Sequence, residues 1–178
     1  MNTFDRQPMF TLPPDLLREM RSSHAGELGA VWIYRGILAV TRDAEVRAFA
    51  EHHLGAEQVH LSFFEQHLPE PLQTRLALLW RPAGWLLGAL PALWGPSAVY
   101  RTVAAVETFV DRHYAEQIEM LGDQPAHRWL RDQLVEFRAD ECVHRDDAAG
   151  RTAAGQSGLW VRIVGAGSAM GAAVARRC

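Results

Sequence analysis

The feature that most constrains the fold is a Glu-x-x-His motif that occurs twice, at residues 57–60 and 141–144. On an α-helix, residues three apart lie on one face, so each motif directs a carboxylate and an imidazole toward the same point. A lone glutamate precedes each motif at a similar distance: Glu27 stands 30 residues before the first and Glu107 stands 34 residues before the second. This repeat is the donor pattern of a carboxylate-bridged two-metal site in a four-helix bundle.

The predicted metal donors are four carboxylates and two imidazoles: Glu27, Glu57, His60, Glu107, Glu141 and His144. Oxygen and nitrogen donors without a thiolate suit iron or manganese better than structural zinc. Four carboxylates inside a bundle need compensating charge, which two divalent cations would supply. We expect Glu57 and Glu141 to bridge the metals, and Glu27 and Glu107 to be terminal ligands or to rotate into bridging positions. Six donors on two metals leave positions open for dioxygen or a substrate.

Local signals predict an all-α chain forming a single domain over residues 1–178. The pair Pro13-Pro14 followed by Asp15 is a good helix opening, and Asp43 is a helix-capping residue after a short turn. Proline and glycine then mark the ends of the later helices. The bundle helices are predicted at about 14–40, 44–68, 97–121 and 126–149.

Two apolar segments lie outside the four predicted bundle helices. The first, about 76–96, contains Trp80, Trp85 and Trp94 together with several prolines and glycines, which should break a continuous helix. We interpret it as a broken hairpin that dips into one membrane leaflet, because tryptophan favours the membrane interface. The alternative is a crossover connection packed on the bundle.

The second apolar segment, about 158–176, is too short to span a membrane. It contains a Gly167–Gly171 GxxxG pattern, which favours close helix contact, and we expect it to lie beside the first segment. The alternative is an ordinary amphipathic helix that covers one end of the bundle.

The composition excludes some classes of protein. The net charge of the 178-residue chain is −3, which does not favour nucleic-acid binding. The two cysteines, Cys142 and Cys178, form no CxxC motif, which favours a reduced, cytoplasmic-side protein. The first ten residues lack the apolar segment of a signal peptide.

Further side chains are candidates to contact the metal ligands on the side that faces away from the metals. A metal-bound histidine usually donates its other N–H to a carboxylate, which makes Asp111 and Asp140 candidates. His24 lies one turn before Glu27, in a supporting or a packing role. His113 and Tyr114 follow Glu107 on the same predicted helix. We expect the remaining histidines to be surface groups or to be satisfied within the bundle: His52, His53, His67 and His127.

The residues around these donors resemble the demethoxyubiquinone hydroxylases of ubiquinone biosynthesis. The resemblance rests on His24-Ala25-Gly26-Glu27, on the two Glu-x-x-His motifs, and on Val106-Glu107 with His113-Tyr114 following. It runs from about Leu17 to the C-terminus and includes the apolar connection and the last helix. One departure is that Leu28 and Val31 stand where the family usually has Tyr and Asn.

The resemblance implies a ferritin-like four-helix bundle with a long apolar crossover and an extra C-terminal helix, which together form a membrane-facing surface. It implies a di-iron monooxygenase that hydroxylates the benzoquinone ring of demethoxyubiquinone, with O2 as co-substrate and NADH as the electron source. The expected partners are a polyprenyl quinone, membrane lipid and other ubiquinone-biosynthesis proteins, and a homo-oligomer is compatible with the sequence. The expected location is the cytoplasmic side of a bacterial-type cell membrane, as a peripheral protein.

Two alternatives belong to other functional classes. One is another ferritin-like di-iron protein, such as a different hydroxylase, a ferroxidase or a peroxidase. The other is a non-catalytic, membrane-associated bundle that serves as a scaffold. Metal content separates the scaffold from the enzymes, and partition between soluble and membrane fractions separates iron storage from quinone chemistry.

Overall fold

The computed structural model describes residues 9–152 and 158–178. Six α-helices account for most of this part of the chain, and it contains no strand. Their bounds are α1 Pro14–Val40, α2 Ala44–His67, α3 Ala77–Trp94, α4 Pro96–Leu121, α5 Arg128–Gly150 and α6 Leu159–Ala175. The architecture confirms the predicted all-α, ferritin-like bundle, whose four long helices are α1, α2, α4 and α5.

Local sequence signals account for the helix ends. The α1 helix opens with proline in its first turn. The Asp43 carboxylate accepts from the backbone N–H groups of Glu45 and Val46, both at 3.0 Å, and so caps α2 as predicted. Gly95 and Gly122 have positive φ angles of 97° and 57°, a conformation that glycine adopts without steric cost, and they separate α4 from its neighbours.

Two apolar clusters hold the four bundle helices together, one on each side of the level at which the predicted donors lie. One cluster contains Tyr34, Phe49 and Val103, and the other contains Phe64, Tyr114 and Phe137. Because the helices run up and down, the first cluster lies beyond Glu27 on α1 while the second lies beyond Glu57 on α2. The donors therefore lie in a polar layer between two apolar ones.

The prediction that residues 76–96 form a broken hairpin was wrong. The segment is one helix, α3, which continues through Pro82 and Pro91. A proline inside a helix costs about 3 kcal/mol or more, because it removes one hydrogen bond and its ring clashes with the preceding turn. Packing against α1, the most extensive contact in the structure, offsets that cost.

Glycines make the contact between α1 and α3 close. A Cβ on Gly88 would lie 1.9 Å from the Ile33 carbonyl oxygen, and a Cβ on Gly84 would lie 2.4 Å from that of Gly29. A Cβ on Gly36 of α1 would lie 2.1 Å from the Trp85 carbonyl oxygen. Only hydrogen fits at these three positions, so the glycines that suggested a break in α3 instead allow the two backbones to approach.

The C-terminal helix α6 packs on α4 and α1. Its GxxxG glycines do not make the predicted close helix contact: a Cβ on Gly167 would meet nothing within 4 Å, and one on Gly171 would meet only the Trp80 ring, at 3.7 Å. The small residues leave open space between α6 and α3. Among the described residues, no helix combines the length and apolarity needed to cross a membrane.

Candidate metal centre

The structure brings all six predicted donors together in the polar layer of the bundle. Each is at most 3% exposed. One group of ligand atoms within 4.8 Å of one another comes from Glu27, Glu57, His60 and Glu141, and a second comes from Glu57, Glu107, Glu141 and His144. Glu57 and Glu141 belong to both groups, which is the arrangement expected of carboxylates that bridge two metals.

The two histidines turn the same ring nitrogen toward the carboxylates. His60 Nδ1 lies 3.1 Å from Glu141 Oε1, and His144 Nδ1 lies 3.1 Å from Glu57 Oε1 and 3.3 Å from Glu141 Oε2. Each imidazole thus lies next to Glu141, and His144 also lies next to Glu57; these are the two carboxylates that belong to both groups. Glu27 Oε2 is 3.6 Å from His60 Nδ1, which places this glutamate at the His60 end.

The buried polar atoms fit a pair of cations. At least one atom of each donor is buried and has no hydrogen-bond partner among residues 9–152 and 158–178: Glu27 Oε2, Glu57 Oε1, His60 Nδ1, Glu107 Oε2, both carboxylate oxygens of Glu141, and His144 Nδ1. Native proteins rarely leave buried polar atoms unpaired. Seven such atoms converging on one place match the demands of two metals with oxygen and nitrogen ligands.

The protonation of the cluster leads to the same conclusion. Burial, reinforced by the charge of Glu141, raises the pKa of Glu57 and that of Glu107 well above their ordinary value. Burial opposes ionisation of Glu141 and His60 as well. Contacts with His144 and His60 nevertheless lower the pKa of Glu141 to about 2, and contacts with Glu141 and Glu27 raise the pKa of His60 to about 11. Without cations, burial therefore favours the protonated forms of Glu57 and Glu107. Divalent cations bound to these carboxylates would displace such protons.

Two tyrosines contact the two glutamates that precede the Glu-x-x-His motifs, each across the bundle. The Tyr114 hydroxyl donates to Glu27 Oε1, and the Tyr34 hydroxyl donates to Glu107 Oε1 at 3.3 Å. Tyr114 was among the sequence candidates, whereas Tyr34 was missed. A sequence signal existed: each tyrosine lies seven residues, two helical turns, after the glutamate of its own half.

The other candidates lie at varying distances from the donors. The Asp140 carboxylate lies 3.2 Å from His60 Nε2, on the ring edge opposite the cluster. Asp111 contacts neither ligand histidine and instead pairs with Arg138 and Arg145 between α4 and α5. His24 accepts from the backbone N–H of Thr74 at 3.2 Å, and burial lowers its pKa to about 4.

His113 belongs to a polar cluster beside the donors. Its Nε2 accepts from the Gln117 side-chain amide at 2.9 Å and lies 3.8 Å from Glu19 Oε2. Arg176 Nη2 lies 3.4 Å from the other ring nitrogen, Nδ1. Burial lowers the pKa of His113 to about 4. These contacts fasten the end of α6 to α1 and α4.

An apolar cavity of about 200 Å³ opens from the carboxylates. Glu27, Glu107 and Glu141 contribute to one end, while Trp80 and Leu87 of α3 and Gly171 of α6 line the rest. The Trp80 indole N–H donates to Thr74 Oγ1 at 2.9 Å, which fixes the ring that faces Gly171. The space that the small residues of α6 leave open is therefore a route toward the predicted metal site.

The two departures from the family pattern lie outside this cavity. Leu28 and Val31 are buried and face a separate groove that Gln58 of α2 also lines. Their loss of a hydroxyl and an amide therefore leaves the cavity lining unchanged.

Comparison with known proteins finds similarity over most of the chain. Residues 15–175 match the family described as Ubiquinone biosynthesis protein COQ7. The chain is 40% identical over 147 residues to the 3-demethoxyubiquinol 3-hydroxylase of Rhodospirillum rubrum, a match that covers 80% of this chain and 68% of the relative.

Two eukaryotic relatives are matched over a smaller share of their own length. The NADPH-dependent 3-demethoxyubiquinone 3-hydroxylases, mitochondrial, of Dictyostelium discoideum and Homo sapiens are 35% and 32% identical over 130 and 133 residues. These matches cover 71% and 72% of this chain but only 60% and 61% of the relatives. The family match covers most of the chain and confirms the resemblance seen in the sequence: the chain belongs to the COQ7 family of ubiquinone biosynthesis proteins.

Proposed function

We propose that this chain is a di-iron monooxygenase that hydroxylates the ring of a demethoxylated polyprenyl quinone or quinol. The observation that carries the proposal is the apolar cavity that connects the buried carboxylate cluster to the space between α3 and α6. A buried oxygen and nitrogen donor set next to an apolar cavity suits oxidation of an apolar substrate. The names of the bacterial and mitochondrial relatives describe the same chemistry.

The six donors would hold two iron ions, with Glu57 and Glu141 between them. Bound iron would supply the activation of dioxygen that no amino-acid side chain provides. The reaction balances as ring C–H plus O2, two electrons and two protons, giving ring C–OH and water. NADH is the proposed source of the electrons.

The protein's own contribution is positioning and exclusion of water. Tyr34 and Tyr114 fix the terminal glutamates, so the donors are held in place before substrate enters. The cavity walls, including Leu87 and Val110, would surround the substrate ring and keep water out. In the single domain that we propose for residues 1–178, the substrate would lie between the bundle and the two apolar helices.

The outer surfaces of α3 and α6 would meet the membrane that carries the substrate. Large apolar side chains on these two helices are 38–86% exposed: Leu78, Leu79, Leu86, Leu90, Leu93, Trp94, Leu159, Trp160, Ile163 and Met170. Exposed apolar patches of this kind mark interaction surfaces. The polyprenyl tail of the substrate would stay in the lipid, while its quinone ring would enter between α3 and α6 and reach the donors. We propose peripheral attachment to the cytoplasmic side of a bacterial-type membrane.

Complementation tests the proposed reaction. In a strain blocked at this hydroxylation, the wild-type chain should restore the hydroxylated quinone in lipid extracts, and Glu141→Ala should not. Glu136→Ala, an exposed glutamate on the same helix, is the matched control and should behave as wild type. The proposal would be contradicted if the Glu141→Ala variant formed hydroxylated quinone. It would also be contradicted if the wild-type protein accumulated in the cells with bound iron but formed no hydroxylated quinone.

A further inference from the structure

The two halves of the centre place a ring against each ligand histidine in the same way. The position four residues before the glutamate of each Glu-x-x-His is Phe137 in one half and His53 in the other. Phe137 packs on His60, with ring centroids 4.2 Å apart. His53 packs on His144 in a T-shaped contact, with centroids 4.4 Å apart. Because a phenyl ring fills this place in one half, packing alone does not require an imidazole in the other.

The carboxylate support behind the two ligand histidines differs between the halves. His60 has Asp140, the residue before Glu141, 3.2 Å from its Nε2. The equivalent residue before Glu57 is Ala56, which offers no carboxylate. In the part of the chain that the structure describes, the carboxylates paired with His144 lie on its Nδ1 side. His144 therefore lacks the direct support that His60 has.

His53 links a carboxylate to His144 indirectly. Its side chain is 1% exposed, and its Nε2 lies 3.0 Å from Asp147 Oδ2. Asp147, one turn after His144 on α5, also accepts from Arg151 Nε at 2.8 Å. A chain of contacts thus runs from Arg151 at the surface through Asp147 and His53 to the His144 ring.

The tautomer of His53 follows from these contacts. With Asp147 accepting at Nε2, that nitrogen carries the proton and Nδ1 is left as an acceptor. Nδ1 is buried and has no hydrogen-bond partner within the described part of the chain. A buried acceptor without a partner destabilises the fold, and a phenylalanine would avoid that penalty. The imidazole and its carboxylate are therefore explained by their action on His144 rather than by packing.

We propose that His53 is a positioning residue for the metal ligand His144, with Asp147 and Arg151 fixing its imidazole. This inference rests on the proposed di-iron function. It makes the two metals inequivalent, because a carboxylate supports His60 directly whereas a neutral imidazole stands between Asp147 and His144. Partners behind a ligand histidine set its ring orientation and basicity, and losing one typically lowers metal affinity 10- to 100-fold.

Two substitutions remove the support without emptying the site. His53→Phe installs the ring that the other half uses at the same place. Asp147→Asn keeps His53 and removes the negative charge behind it. Asp140→Asn is the comparator, because it acts on His60 in the opposite half.

The test is Mössbauer spectroscopy of the ⁵⁷Fe-loaded ferrous protein, together with iron competition against a chelator. Wild type should show two doublets of equal area. His53→Phe and Asp147→Asn should shift the same single doublet and weaken one of the two iron equivalents about tenfold, whereas Asp140→Asn should shift the other doublet.

A His53→Phe protein with both doublets and both affinities unchanged would overturn the inference, even if its apoprotein melted at a different temperature. The inference would also fail if His53→Phe shifted the doublet that Asp140→Asn shifts. If His53→Phe does not fold, Asp147→Asn decides by the same criteria. Wild-type protein that binds no iron would instead contradict the proposed function, and this inference with it.

Discussion

At the scale of the residue, the repeated motif was enough to predict six side chains that meet in the fold. Glu-x-x-His places two donors on one helical face, and that relation is local. Tyr34 and His53 were not identified as supports, because their roles depend on contacts with the opposite half. Asp111 was a candidate because of its charge, yet two arginines of α5 engage it. Such long-range partners are set by packing between helices, which sequence spacing does not encode.

Buried His24 should make the metal-free protein sensitive to acid. Burial lowers its folded pKa from 6.5 to about 4, so the unfolded chain takes up a proton between these values that the folded protein does not. This contribution to stability is present above pH 6.5 and is lost as the pH falls toward 4. At pH 5 the loss is about 2 kcal/mol, since one pKa unit is about 1.4 kcal/mol.

Urea unfolding of chelator-treated protein at pH 7 and pH 5 measures this effect. His24→Gln retains an acceptor for the Thr74 N–H but does not titrate. Between pH 7 and pH 5, the free energy of unfolding of His24→Gln should therefore fall by about 2 kcal/mol less than that of the wild type. Equal losses in the two proteins would show that His24 does not resist protonation.

At the scale of the element, four helices follow their local signals and one does not. The caps and breakers of α1, α2, α4 and α5 are local, so their bounds were predicted to within about two residues. In α3 the prolines and glycines predicted a break, but packing against α1 overrides them. Gly84 and Gly88 are residues that usually interrupt a helix, but here they lie where α3 contacts the backbone of α1.

Alanine substitutions at two glycines should change stability in opposite directions. In Gly88→Ala the new Cβ would lie 1.9 Å from the Ile33 carbonyl oxygen, so the helices must separate. We expect a loss of about 1–3 kcal/mol or more in the free energy of unfolding. In Gly26→Ala the Cβ meets nothing within 4 Å, and the gain in helix propensity should stabilise the protein by up to about 1 kcal/mol.

Chemical denaturation of both variants measures the difference, with far-UV circular dichroism as the probe. A Gly88→Ala protein as stable as Gly26→Ala would mean that α1 and α3 are not in close contact.

At the scale of the whole molecule, the apolar helices connect the candidate metal site to an exposed apolar surface. Composition predicted apolar exposure near residues 76–96, but not which tryptophans are exposed. Trp80 lines the cavity and Trp85 is half-buried, whereas Trp94 is 71% exposed. The surface that can meet lipid is therefore richer in leucine than the sequence suggested.

Replacing exposed side chains of α3 should weaken binding to vesicles. Leu78, Leu93 and Trp94 are 68–86% exposed, and fully burying such a side chain is worth about 1.5–3 kcal/mol. Their triple replacement by serine should lower partition into phospholipid vesicles at least tenfold while iron content stays the same. Sedimentation with the vesicles measures it.

The matched control for vesicle binding lies on other helices. Val59 and Val143, which are 63% and 59% exposed on α2 and α5, are replaced by serine and should leave partition unchanged. Vesicle binding that survives the α3 replacements, or that depends equally on the two valines, would contradict a membrane surface on α3.

The most direct measurement of the central claim is iron bound per chain, determined by elemental analysis of protein reconstituted with ferrous iron. Glu57 and Glu141 belong to both groups of donors, so one substitution should affect both metals. The account predicts two irons per chain in wild type and in Glu136→Ala, and fewer than one in Glu57→Ala and Glu141→Ala with the helical content retained. Wild-type protein with one iron or none, or shared-glutamate variants that keep two, would contradict it.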